Sequence, residues 1–227
     1  MVSIPFFVFL LLAFLTGCVP FAYIFVRRMR GIDIRTQGSG NVGATNASRV
    51  LGRRWGMVVL LLDVLKGVAA AWFLPWVLGL MARWSVFGSA AYYFDALTTP
   101  GVQLLMGLAA FLGHCYNPFL KFKGGKGVAT ALGVFLIVSW KATLLTAAVC
   151  LAIIAATRLV SVASIVAAVL LPAAMLTFQL IAEGPKAPWY QRVHWQVLAM
   201  TALISVVVVI RHRANIKRLL KGKEHKA

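Results

Sequence analysis

Long apolar runs separated by short basic segments leave this chain few folds to choose from. Residues 5–26, 56–80, 101–120, 159–182 and 194–210 each reach or approach the ~20 apolar positions that a helix needs to cross a hydrocarbon core about 30 Å thick. With 61% hydrophobic and 12% charged residues among 227, the composition lies outside that of a soluble domain. Lipid offers no partner to backbone groups outside helices and closed barrels. The expected fold class is therefore an all-α integral membrane protein. Residues 127–157 are the difficulty, because 31 mostly apolar positions are interrupted only by Lys141. They read either as one overlong helix or as two short ones.

Charge placement decides between them, since Lys and Arg collect on the cytoplasmic side. With two helices, 18 of the 23 basic residues fall inside, Arg83, Lys141, Lys186 and Arg192 fall outside, and Lys66 sits within a span. With one helix, the seven C-terminal positives would be turned outward. The expectation is seven transmembrane helices, with the N-terminus outside and the C-terminus cytoplasmic. The first apolar run is longer than the core of a signal peptide, and its basic residues follow rather than precede it, so it is read as the first span. Cys18, Cys115 and Cys150 have neither disulfide nor metal spacing and are read as packing residues. The net charge of +18 is split among loops without a nucleic-acid motif, and fits sidedness and anionic headgroups instead. No internal repeat is visible and no soluble domain is appended, so residues 1–227 are read as a single membrane-embedded domain.

Three polar islands then fall on one side. In the first, Thr36 to Arg54, Gly38, Gly40 and Gly43 satisfy G-x-G-x-x-G, but the flanks are spans rather than a strand and helix, which rules out a dinucleotide site. What survives is an anion nest of backbone N–H groups, with Ser39, Asn41, Thr45 and Asn46 as neutral hydrogen-bonding groups and Arg49 as a planar fork. In the second, "KFKGGKGVAT", the P-loop spacing fails. Gly124, Gly125 and Gly127 still let backbone approach a ligand, and Lys126 adds a charge at the head of the next helix. The apolar stretch that follows is too short to cross alone, so the loop is expected to dip below the interface. The third island, Arg211 to Glu224, is basic and amphipathic, with His212 and Asn215 on one helical face. Asp63 and Lys66 lie at i, i+3 inside the second span, where an unpaired charge is expensive, and are read as a mutual salt bridge. Asp95 and Glu183 fall on the outer side and Asp33 in solvent, leaving almost no cytoplasmic carboxylate for general-base work.

"GSGNVGATN" (38–46) with Arg49, "GHCYNPFLKFKGGKGVAT" (113–130) and "HRANIKRLLKGKE" (212–224) resemble, in order and in spacing to the spans, the three cytoplasmic motifs of the bacterial acyl-phosphate:glycerol-3-phosphate acyltransferase (PlsY) family. The resemblance covers essentially the whole chain. One departure is visible, because the family often has proline one position earlier than Pro118. The resemblance implies transfer of a fatty acyl group from acyl phosphate to the 1-hydroxyl of glycerol 3-phosphate at the cytoplasmic face of the cell (inner) membrane, without cofactor or metal. By the same resemblance, Ser39 and Arg49 serve phosphate or carbonyl binding, and Gly124, Gly125, Lys126 and Gly127 bind substrate phosphate. His212 and Asn215 position the reactants, Glu224 is structural, and either Ser161 or Ser164 occupies a substrate-binding position. A monomer in the lipid bilayer is expected, with no nucleic-acid partner. The competing reading is a carrier or channel for organic phosphates. Thioester acyltransferases with H-x-x-x-x-D are excluded, because Phe119, Ala199 and Lys217 stand where the aspartate is needed after His114, His194 and His212. No paired aspartates of a phospholipid synthase occur either.

Overall fold

The computed structural model describes residues 4–84, 99–182 and 194–226. The expected outer connectors lie mostly outside these residues, together with Asp95, Glu183, Lys186 and Arg192. Among the described residues every regular element is helical. Helix α1 (Ile4–Cys18) ends just before Pro20, which cannot donate to a helical carbonyl, and α2 (Phe21–Arg30) follows. A 3-10 turn (Ile34–Thr36) and α3 (Ala44–Leu51) carry the first island. Helix α4 (Arg53–Val68) runs through a π-helical turn (Ala69–Phe73) into α5 (Leu74–Trp84). Next come α6 (Pro100–Cys115), a second 3-10 turn (Pro118–Leu120) and α7 (Val128–Val138). The chain then continues as α8 (Trp140–Thr157), α9 (Val160–Ala182), α10 (Trp195–Arg211) and α11 (Arg213–Leu220).

Four helical stretches are long and apolar enough to cross a membrane: Ile4–Arg30, Arg53–Met81, Trp140–Thr157 and Val160–Ala182. A fifth is obtained when α10 and α11, bent by 53°, are taken as one. These coincide with the apolar runs at 5–26, 56–80, 159–182 and 194–210, and with the second half of 127–157. The break expected within 127–157 is present at Ser139, where φ −157° and ψ 78° leave the helical region between α7 and α8. The run 101–120 differs from expectation, because its helix stops at Cys115. Pro118 holds Asn117 in an extended conformation, and the Asn117 side chain accepts from the Phe119 N–H at 3.0 Å to start the 3-10 turn.

The described residues fall into two compact units, 1–138 and 139–227. In the N-terminal unit α1 packs on α6, and α4 packs on α3 and α7. Glycines set the closeness of these crossings. A Cβ on Gly17 would strike the Ala110 carbonyl, and one on Gly113 the Phe14 carbonyl. Gly67 and Gly133 stand in the same relation to the carbonyls of Thr130 and Val64. Small residues are the means by which helices associate where lipid supplies no hydrophobic drive. Phe111, Phe135, Leu104 and Met106 fill the interior, whereas Leu11, Leu61 and Trp72 face outward. In the C-terminal unit α9 packs against α8 and α10, and Leu151, Val169 and Val206 are turned outward.

Candidate functional site

The first island is a loop wound around one side chain. Asn46, fully buried in the first turn of α3, accepts from the Ser39 N–H at 3.0 Å through Oδ1. Its Nδ2 donates to the carbonyls of Gln37 (2.9 Å), Asn41 (3.0 Å) and Ile34 (3.3 Å). The amide expected among the ligand groups is thus spent on the loop itself. Gly38 and Gly40, at φ 55° and 69°, make the turn possible, because a Cβ on Gly38 would collide with Asn46 Oδ1. Arg49 is exposed one turn later, its Cδ 3.9 Å from where that Cβ would stand. Ser39 and Thr45 are half-buried. Arg35 closes the base of the loop through a 2.6 Å ion pair with Asp33, whose carboxyl the Arg35 hydrogen bonds hold below the usual range.

The second island packs against the first within the same unit. Arg35 donates to the Leu120 carbonyl at 3.3 Å, and a Cβ on Gly125 would stand 2.8 Å from the Val42 carbonyl. Lys121 and Phe122 carry the turn at φ 54° and 60°, a conformation rare for such side chains. The chain then runs flat across the end of α6. The Gly125 N–H donates to the His114 carbonyl at 3.0 Å, and Gly124 lies against the carbonyls of His114 and Cys115. Gly127, at φ 79°, abuts the Phe111 ring and the Cys115 sulfur. Only glycine fits such approaches, and Lys126 stands half-buried between Gly125 and Gly127, two residues ahead of α7. The island is thereby suited to an anion, with its glycine backbone, a lysine and a helix N-terminus on one segment.

Under this loop lie charges whose full extent the sequence does not reveal. The expected Asp63–Lys66 bridge is present at 2.7 Å, with both side chains only 3% exposed. Lys66 also reaches the Val19 carbonyl at 3.0 Å and His114 Nδ1 at 2.8 Å. The break after α1 frees that carbonyl, and the preceding one, of Cys18, accepts from Asn117 at 2.5 Å. His114 and Asn117 were not expected as site residues, because their partners stand far away in the chain. An intramembrane lysine with three protons and one carboxylate was the available signal that further acceptors must exist.

The third island belongs to the C-terminal unit. His212 is 2% exposed at the bend between α10 and α11, its Nδ1 2.8 Å from the Val208 carbonyl. A carbonyl can only accept, so Nδ1 carries a proton. Asn215, one turn on, donates to Glu224 at 2.5 Å. Glu224 also accepts from Ser161 at 3.1 Å and pairs with Arg218 at 2.8 Å. Burial alone would raise the Glu224 carboxyl, but the hydrogen bonds from Asn215, Arg218 and Ser161 outweigh it and hold the group below its ordinary value. The two serines also part here, since Ser164 bonds to the Val160 carbonyl of its own helix. Ser161 joins the cluster. No group of three or more His, Cys, Asp or Glu suited to a metal occurs among the described residues.

Helices of this apolarity, with cationic glycine loops between them, define a membrane-embedded helical protein equipped to handle anions. Comparison with known proteins agrees. The family model described as glycerol-3-phosphate acyltransferase matches residues 7–222. Proteins named glycerol-3-phosphate acyltransferase are similar throughout: that of Desulforudis audaxviator is 41% identical, covering 94% of this chain and 91% of its own, and that of Geobacter sulfurreducens 42%, covering 94% and 93%. A crystal structure of PlsY, an integral membrane glycerol 3-phosphate acyltransferase in its glycerol 3-phosphate form, superposes with a TM-score of 0.73 at 36% identity, covering 98% of this chain and 95% of that one. The lysophosphatidic acid form gives 0.71 at 36% identity, covering 97% and 94%. The chain belongs to the glycerol-3-phosphate acyltransferase family.

Proposed function

We propose that this chain transfers a fatty acyl group from acyl phosphate to the 1-hydroxyl of sn-glycerol 3-phosphate, releasing inorganic phosphate and lysophosphatidic acid, the first step of phospholipid synthesis. The observation that carries the reading is the family's solved structure in its glycerol 3-phosphate form, which resembles this chain over 98% of its length. The chain acts as one membrane-embedded acyltransferase domain over 1–227, a monomer of seven spans in the cell (inner) membrane. Its N-terminus is outside, and its C-terminus and active site are on the cytoplasmic side. Both substrates carry phosphate and one carries a lipid tail. Two glycine-rich cationic loops packed together beside apolar helices support that pairing.

An acyl phosphate is a mixed anhydride with a good leaving group, so the protein's work is to hold two anions together and stabilise an oxyanion. The glycerol hydroxyl adds to the acyl carbonyl carbon, its proton goes to a base, and the carbon–oxygen bond to phosphate breaks. Ser39 and Arg49 serve phosphate or carbonyl, with Gly38, Gly40, Asn41 and Thr45 contributing to that loop while Asn46 shapes it. Gly124, Gly125, Lys126 and Gly127 bind a substrate phosphate. His212 and Asn215 position the reactants, Ser161 is favoured over Ser164 by its place in the Glu224 cluster, and Glu224, Asp63 and Lys66 are structural. The base is either His212 Nε2, which is the accepting nitrogen when the ring is neutral, or the substrate's own phosphate. His212→Gln separates them: most of the maximal rate surviving would remove His212 as obligatory base.

The reading is tested on purified protein in lipidic medium, by transfer of label from glycerol 3-phosphate into lysophosphatidic acid without added metal or cofactor. Palmitoyl phosphate is expected to serve as donor and palmitoyl-CoA to fail. Product from the thioester would overturn the donor assignment, and product from neither would direct attention to organic-phosphate uptake into liposomes.

A further inference from the structure

We propose that Asp63, Lys66 and His114 form a buried relay that fixes the Gly124–Gly125 loop in its phosphate-binding shape, with His114 as a positioning residue; this rests on the acyl-transfer reading above. A structural salt bridge in a span needs only Asp63 and Lys66. Here a third ionisable side chain, 8% exposed, is brought in from α6 across 48 residues of sequence. Lys66 touches Asp63, His114 and the Val19 carbonyl at 2.7, 2.8 and 3.0 Å. The contact to Asp63 Oδ1 is an ion pair without hydrogen-bond alignment.

An ammonium has protons to give and no lone pair to receive with. His114 Nδ1 must therefore accept from it, and the neutral ring carries its proton on Nε2. The same ring nitrogen stands 3.6 Å from Asp63 Oδ1, so the bridge meets the ring on its Nδ1 edge. The Nε2 edge is the one that meets the loop, because a Cβ on Gly125 would strike Nε2 first, then Cε1 of the same ring and the Val42 carbonyl. The backbone of the same histidine accepts from the Gly125 N–H at 3.0 Å and abuts Gly124. His114 thus sets both glycines from its ring and from its main chain, while Asp63 and Lys66 set the ring. Asp63, His114, Gly124 and Gly125 line one shared cleft with Val19, Val42 and Asn117.

The test uses the full-length protein in lipidic medium. His114→Phe keeps ring volume and removes both nitrogens, and His114→Gln returns an amide donor close to the Nε2 position. The paired change Asp63→Leu with Lys66→Met removes the bridge without leaving a buried charge alone. Each is compared with wild type by KM and kcat for both substrates and by thermal unfolding. His114→Phe is expected to raise the KM of one phosphate substrate about tenfold or more and the other less than about twofold, with the larger part restored by His114→Gln. The paired change is expected to raise the same KM.

A fall in kcat with a rise in both KM values, in step with the melting temperature and unrelieved by glutamine, would overturn the proposal. Nitrogen-15 spectra of histidine-labelled wild type, assigned by loss of the His114 signal in the glutamine variant, are expected to show the proton on Nε2; a proton on Nδ1 overturns the relay. Should wild type form no product from acyl phosphate, the acyl-transfer reading falls, and the relay is decided by those spectra together with binding of inorganic phosphate. Binding weakened about tenfold by His114→Phe supports it, and unchanged binding overturns it.

Discussion

The glycine loop of the N-terminal unit and the Glu224 cluster of the C-terminal unit hold candidate site residues by opposite means. At Gly124, Gly125 and Gly127 the placement is steric, with glycine backbone laid on the end of α6 where no Cβ fits. At Ser161, Asn215 and Arg218 it is electrostatic, three donors held by the single carboxylate of Glu224. A sterically built site fails abruptly when an atom is added. One built on a carboxylate fails gradually, with acid.

The most severe way to break that contrast is Gly125→Ala. The added methyl meets a buried ring and a backbone carbonyl, neither of which can give way cheaply. A fall in kcat/KM of about 100-fold or more is expected, expressed mainly as a raised KM for one phosphate substrate. A fully active alanine variant would remove the steric account. Asn46→Ala comes next, since it takes away the acceptor of the Ser39 N–H and the donor to the Asn41 carbonyl, and leaves the Ile34 and Gln37 carbonyls only their backbone bonds from Gln37 and Gly40. About 2–3 kcal/mol of stability should be lost, read by denaturant or thermal unfolding.

Glu224→Gln sharpens the other side of the comparison. Its carboxyl lies below the ordinary glutamate value of 4.5, so the stability it contributes is present above that pH and is lost as pH falls through the lower folded value. The variant should lose about 1–2 kcal/mol at neutral pH and progressively less in acid, as protonation of the wild-type carboxyl removes the same interaction. Equal destabilisation at neutral and acid pH would contradict the carboxylate account. Asp33→Asn should cost least, less than about 1 kcal/mol, because that pair with Arg35 is 27–30% exposed.

These differences track what was legible beforehand. The Asp63–Lys66 bridge could be read at i, i+3 because one helix carries both partners, and charge sidedness showed that 127–157 is broken but not that the break falls at Ser139. The first two islands were visible as glycine clusters between apolar runs. His114 was not, because its partners Lys66 and Gly125 meet it only after α4 and α6 pack. Nor was the end of α6, where Cys115 replaced the expected residue 120: a proline reads as a bend, and an apolar run of Phe119 and Leu120 masks it. Asn46 looked like a ligand group because an amide in a glycine loop has the same appearance whether it faces outward or inward. Ser161 differs from Ser164 only through the fold of the C-terminal tail, which brings Glu224 back to the head of α9.

The central claim, acyl transfer from acyl phosphate, is met most directly by following both products at once. Purified protein given palmitoyl phosphate and glycerol 3-phosphate should release inorganic phosphate and form lysophosphatidic acid in equal amounts, and neither when one substrate is withheld. Phosphate release without glycerol 3-phosphate, or lysophosphatidic acid without phosphate, would contradict it.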